Sequence, residues 1–159
     1  MPSTVSRMLQ DSLKPYFKSE GFRKKSAVWG AASEDLAKFF NIQCSRNSKR
    51  VYFNIGIYLQ SEGKVDFPRE LDCHLRFRLE QLLSSDDAIR NFCDLCDFEN
   101  CSMPNERVEE LSQLVIEKVI PWFRKLNTVA DVLALGEQKP GMYWNNGKQL
   151  LEESRDITT

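Results

Sequence analysis

A chain of 159 residues, 42% hydrophobic and 11% aromatic, has the length of one domain with a substantial core, since domains most often hold about 100–150 residues. Such a composition excludes a mainly disordered chain. Lysine and arginine number 22 against 23 aspartate and glutamate, so a net charge of -1 excludes capture of nucleic acid or anionic membrane by overall charge alone.

Val5, Met8, Leu9, Leu13, Tyr16 and Phe17 recur at helical spacing and predict an amphipathic first helix, with Ser3 or Thr4 as N-cap and Gly21 as a left-handed C-terminal cap. Pro15 inside it predicts a kink or a restart. After Gly21 the period changes to two. Phe22-Arg23-Lys24-Lys25 followed by Ala27-Val28-Trp29 predicts strand one, and Leu36 to Ser45 strand two, with Leu36, Phe40, Ile42 and Cys44 opposite Phe39, Asn41 and Gln43. The comb Val51, Phe53, Ile55, Ile57 and Leu59, opposed by Tyr52, Asn54, Gly56 and Tyr58, is strand three. Leu71, Cys73, Leu75, Phe77 and Leu79, alternating with Asp72, His74, Arg76 and Arg78, is strand four.

The remainder reads as helical. Ser85 caps a short helix with Ile89, Phe92, Cys93 and Cys96 on one face. Pro104 opens the longest helix, whose stripe of Val108, Leu111, Leu114, Val115, Val119, Trp122, Phe123 and Leu126 faces the core and is bent at Pro121. Thr128 caps a helix from Val129 to Leu135 that Gly136 ends, and a short final helix follows around Gln149 to Ser154. The expectation is a single α+β domain over residues 1–159: an N-terminal helix, a four-stranded antiparallel sheet, and C-terminal helices packed mainly on one sheet face.

In arrangement this chain resembles the bacterial family known as domain of unknown function 4304. The resemblance is carried by Leu13-Lys14-Pro15 before Gly21-Phe22-Arg23-Lys24-Lys25, by Asn41-Ile42-Gln43-Cys44-Ser45 with Tyr52-Phe53-Asn54-Ile55-Gly56-Ile57, and by Leu75-Arg76. It extends well over residues 9–79, and beyond them through the helix pattern ending near Trp122 and the Val129 to Leu133 segment. The resemblance implies the fold and a bacterial cytosolic origin, and it implies no activity, cofactor or catalytic residue.

Charge is unevenly spread: residues 1–78 carry 14 basic and 8 acidic side chains, a net of +6, whereas residues 79–159 carry 8 and 15, a net of -7. Either a basic surface is backed by an acidic layer, or the two halves attract each other within one fold. Five cysteines, an odd number, and no charged-then-apolar leader over residues 1–10 predict free thiols in a cytoplasmic protein. No apolar run approaches the ~20 residues of a membrane helix. Asn100-Cys101-Ser102 matches a glycosylation acceptor, a chemistry that needs secretion.

Cys93-Asp94-Leu95-Cys96 with Cys101, and Cys73 or His74 as a fourth group, has partly zinc-like spacing. A second CxxC pair is missing and Cys93 and Cys96 continue an apolar face, so the expectation is packing, with no metal and no cofactor. Gly141 to Gly147-Lys148 departs from a phosphate-binding loop in glycine spacing and in having Gln149 where Ser or Thr would stand. The one imidazole, His74, and the lack of a G-x-S-x-G turn argue against a hydrolytic triad.

The sheet face opposite the combs is the remaining candidate. Asn41, Gln43, Tyr52, Asn54, Tyr58, His74, Arg76 and Arg78 should share it, as a solvated face or as a surface of amides, phenols and guanidinium groups suited to a protein partner. The reading taken is a noncatalytic module that binds a protein partner there. The alternative is single-stranded nucleic acid, stacked on Tyr52 and Tyr58 beside Arg76 and Arg78, with Arg23, Lys24, Lys25, Arg46, Lys49 and Arg50 along its backbone. An enzyme would instead require a polar pocket around His74.

Overall fold

Leu9, Leu13 and Phe17 are fully buried along one side of α1 (Thr4–Ser19), the i, i+4, i+8 spacing of a single helix face. In the computed structural model, which describes residues 4–138 and the short strand Tyr143–Trp144, α1 closes as its sequence predicts. Gly21 has φ of +85°, a conformation glycine enters without steric cost. The Phe22 N–H donates to the Phe17 carbonyl at 3.0 Å, which completes a Schellman turn. Pro15 does not interrupt α1. Pro15 and Asp11, whose carbonyl loses its helical donor, both lie on the exposed side, where the carbonyl is open to solvent and is not buried unpaired.

Six antiparallel strands follow in sequence order: β1 (Arg23–Lys25), β2 (Val28–Ala32), β3 (Leu36–Cys44), β4 (Val51–Leu59), β5 (Leu75–Arg78) and β6 (Tyr143–Trp144). The antiparallel sheet is the expected one, but its count exceeds four for two reasons. The predicted first strand is a hairpin: Ser26 takes φ of 55° and Lys25 pairs back on Val28. Tyr143–Trp144 adds an edge strand against β5, with Leu75 opposite Trp144. The predicted fourth strand is shorter than expected, because Glu70–Asp72 and Leu79–Leu82 wind into 3-10 turns and Leu71 is 76% exposed.

Four helices complete the described residues. In α2 (Asp86–Leu95), Ser85 Oγ accepts the Ala88 N–H as the N-cap. The predicted long helix divides into α3 (Pro104–Leu114), a π-helical stretch Val115–Val119, and α4 (Ile120–Arg124). Pro121 has no N–H and its ring would press on the carbonyl four residues back; the widened turn, in which the Ile120 N–H reaches the Val115 carbonyl, absorbs this. α5 (Val129–Gln138) begins at Thr128, where Asp131 accepts the Asn127 and Thr128 N–H groups and returns its own to Thr128 Oγ1. It continues past Gly136 to Gln138, since an interior glycine costs a helix only about 1 kcal/mol. The predicted Gln149 to Ser154 helix and the Gly141 to Lys148 segment fall outside the described residues, apart from the backbone of β6. No helix among the described residues is long and apolar enough to cross a membrane.

All helices with buried faces pack on one side of the sheet. Phe17 stacks on Trp29 and Phe40, with centroids 5.1 and 4.8 Å away, and meets Phe22 edge-on at 5.1 Å. The series continues from Phe40 to Phe53 and from Phe53 to Phe92. Lys38 also points to this side, where its Nζ donates to the Phe123 carbonyl at 2.6 Å and caps the end of α4. Burial holds its pKa below the ordinary lysine value, against the pull of Glu20 and Asp131.

The other side of the sheet is apolar at one end, contrary to a uniformly polar reading. Ala37, Phe39, Tyr58 and Cys73 form a second small core with Val28 and Val65. It lies beneath the segment from Gln60 to Asp72. A Cβ on Gly30 would stand 3.1 Å from the Phe67 ring, and one on Gly56 would stand 2.7 Å from Cys73 Sγ. The sheet therefore has room only for glycine at position 56. Gly56→Ala should destabilise the protein by about 1–3 kcal/mol through overpacking, and by less in a Cys73→Ala background. Urea unfolding of the four proteins of the cycle checks this; equal losses in both backgrounds would contradict the close approach.

Candidate functional site

Beyond the end covered by the Gln60–Asp72 segment, strand register brings five of the eight predicted residues together. Asn41 pairs directly with Asn54, Gln43 with Tyr52, and Asn54 with Arg78, so period-two alternation places all five on one face. Asn54 is the hub and is only 5% exposed. Its Nδ2 donates to Asn41 Oδ1 at 2.8 Å and to Gln43 Oε1 at 2.9 Å, and its Oδ1 accepts from Arg78 Nε at 3.4 Å. Both amide hydrogens and the carbonyl of a buried side chain are thereby satisfied.

Above this hub the Arg78 guanidinium lies 4.2 Å from the centre of the Tyr52 ring, a cation–π contact. Gln43 and Arg78 are exposed, and Asn41 and Tyr52 half-buried. Asn41 Nδ2 also reaches Glu70 Oε2 at 3.5 Å. Glu70 is the member that the sequence reading did not include. It lies in an irregular segment, where alternation assigns no face, and only the return of that segment over the sheet brings it to Asn41.

Tyr58 and His74 serve the covered end instead. Tyr58 is buried and its hydroxyl donates to the Gly63 carbonyl at 2.7 Å; burial raises its pKa. His74 Nδ1 accepts the Leu59 N–H at 3.0 Å, the His74 backbone N–H donates to the Ile57 carbonyl, and its ring lies 4.9 Å from that of Tyr58. Gln60, also buried, ties the segment down by donating to the Ser33 and Val65 carbonyls and accepting the Val65 N–H. Arg76, half-buried on β5, stands opposite Gly56 and Tyr143. These three side chains share the predicted face but not the open cluster.

Cys96 belongs to the main core with Cys44 and Cys101 packed against it, and Cys73 belongs to the smaller core. Cys73 and Cys96 are buried; burial pushes the Cys73 thiol up to about 12, raises that of Cys96 still further, and raises Cys93. No group of three His, Cys, Asp or Glu side chains among the described residues is placed to hold a metal ion. Of the basic turn residues, Arg50 is engaged by Asp97 at 3.7 Å and by the Cys93 carbonyl, whereas Arg46 and Lys49 are exposed. The open cluster thus offers amides, a phenol and a guanidinium for hydrogen bonding and stacking.

The family model described as Domain of unknown function (DUF4304) matches residues 13–125, a span that includes the whole cluster. Comparison with curated proteins and with solved structures finds no match.

Because His74 Nδ1 accepts a backbone hydrogen bond, the folded state requires the neutral ring. Burial, opposed by Glu62 and Asp72, lowers its pKa below the ordinary 6.5. A depressed value means that the unfolded chain binds the proton more readily. The contribution is therefore complete above the unfolded value and is lost as pH falls through the folded one. Stability should decline as pH falls below the ordinary 6.5 and toward the lowered folded value, and the decline should flatten in His74→Asn, whose amide oxygen accepts the Leu59 N–H without titrating. Thermal melts across that window make the comparison; identical slopes would remove His74 as the source.

Proposed function

The chain belongs to the Domain of unknown function (DUF4304) family, whose description names no activity, and we propose from its own geometry that it is a noncatalytic module binding a protein partner through Asn41, Gln43, Tyr52, Asn54 and Arg78. One observation carries this reading: the Arg78 guanidinium donates to the buried Asn54 amide and lies over the Tyr52 ring at an open surface. Tyrosine and arginine are the residue types over-represented among interface hot spots. A pair already fixed in position loses less conformational freedom on binding than two mobile side chains would. The cytoplasm is the compartment we infer, since none of the five cysteines is in a disulfide and thiols persist in a reducing environment.

Single-stranded nucleic acid is the second reading, favoured by the exposed Arg46 and Lys49 in the turn just beyond Gln43 and Tyr52. Binding of that kind weakens steeply with salt.

Capture from native lysate, with wild type, Tyr52→Ala/Arg78→Ala and the exposed helix variant Glu109→Ala as baits, tests the first reading. Wild type and Glu109→Ala should recover the same protein, and the double variant should lose it, with an affinity deficit of about 2 kcal/mol or more for the purified pair. Equal recovery by all three overturns the surface assignment. A mobility shift with an oligonucleotide at low salt, abolished at high salt and by the double variant, would transfer the surface to nucleic acid.

A further inference from the structure

On the helical side of the sheet, α1 and the β1–β2 hairpin border an open cavity of about 320 Å³ lined by Lys14, Lys18, Phe22, Arg23, Lys24 and Trp29. Four of its six lining residues are cationic. Lys14 and Lys18 stand one turn apart on α1, a like-charge spacing that disfavours the helix. Lys24 stands opposite Trp29 across the hairpin, with its Nζ 5.8 Å from the indole. Arg23 donates to the Asp66 carbonyl. None of the four forms an ion pair with a described residue, and the nearby Glu20 is held by Arg124. The concentration of positive charge is thus unbalanced.

The cavity's aromatic wall is Trp29, whose ring is 1% exposed and lies under Lys24 Nζ. Its Nε1 is closed off from the cavity, so the ring contributes an apolar wall and the cations contribute the charge. Lys14 and Lys18 repel each other across one turn of α1. An anion placed among the four cations relieves that repulsion and pairs with ammonium and guanidinium groups through charge-assisted hydrogen bonds.

We infer that this corner is a binding site for a diphosphate group, free or carried by a nucleoside. A single phosphate carries roughly 1.5 to 2 negative charges near pH 7, too few to balance four cations, and two linked phosphates match them better. The guanidinium of Arg23 suits bidentate contact with phosphate oxygens, and the lysines act as point charges around it. The site draws on none of Asn41, Gln43, Tyr52, Asn54 or Arg78, and it stands or falls independently of the partner surface.

Isothermal titration of the full chain with inorganic pyrophosphate, ADP and orthophosphate, at low and high salt, tests the inference. Pyrophosphate and ADP should bind with one site per chain, orthophosphate should bind far more weakly, and indole emission should change on binding. Equal affinity for pyrophosphate and ADP identifies the free anion as sufficient; tighter ADP binding identifies a nucleoside carrier. Lys14→Gln, Lys18→Gln and Lys24→Gln alter exposed side chains and should each weaken binding about tenfold, whereas the remote Lys118→Gln should not. Trp29→Phe should lose the emission change, which assigns that signal to the indole lining the cavity.

The inference is overturned if neither diphosphate binds at low salt, if the triple lysine variant binds like wild type, or if Lys118→Gln weakens binding as much as the others. Competition by an oligonucleotide at lower concentration than ADP would also overturn it, since the corner would then follow a strand rather than hold a diphosphate.

Discussion

The contact on which the rest depends is the stack of Phe17 on Trp29 and Phe40. Phe17 is fully buried, and its burial stabilises the fold by roughly 1.5–3 kcal/mol. Its position matters as much as its area. It lies in the last turn of α1, immediately before the Gly21 reversal, so one residue sets how the helix leaves the sheet and where the β1–β2 hairpin begins. The Phe22 edge contact and the Phe22 N–H to Phe17 carbonyl bond fasten both sides of that reversal to the same ring. Aromatic pairs in such edge and offset arrangements exceed their area-based contribution by about 0.5–1.5 kcal/mol.

With α1 and the later helices on one side, the sheet's second face must be treated residue by residue. The Gln60–Asp72 segment covers only its apolar end. Its backbone groups would be costly to bury alone, and polar side chains from beneath meet them: Gln60 at Ser33 and Val65, Tyr58 at Gly63. His74 answers the Leu59 N–H at the end of β4. Glycines at 30 and 56 allow the covering side chains to approach. The open end lacks such a cover, and there the side chains satisfy one another around Asn54. The same strands thus support a packed end and an open polar end.

The uneven charge along the chain resolves in space as well. Basic residues of the first half gather at α1 and β1, where Lys14, Lys18, Arg23 and Lys24 surround one cavity. Some attraction between halves is also present, since Glu20 and Arg124 pair across the fold and Arg50 pairs with Asp97. These partly exposed pairs contribute about 1 kcal/mol each.

What the sequence by itself determined were the features that depend on near neighbours. The α1 stripe and its Gly21 cap, the Ser85 and Thr128 caps, and the β3 and β4 alternation that puts Asn41, Gln43, Tyr52 and Asn54 on one face are all set by residues a few positions apart. The tertiary structure alone decided which parts of that face stay open. Tyr58 and His74 have the same alternation as Asn54 and Arg78, yet lie against the Gln60–Asp72 segment. Glu70 reaches Asn41 from a segment with no periodicity to read. The hairpin within the predicted first strand depends on the left-handed Ser26, a local choice stabilised by the pairing of Trp29 with Phe40. Alternation specifies a side of the sheet, but coverage depends on where distant chain returns, and that is governed by the total apolar area buried rather than by any local spacing.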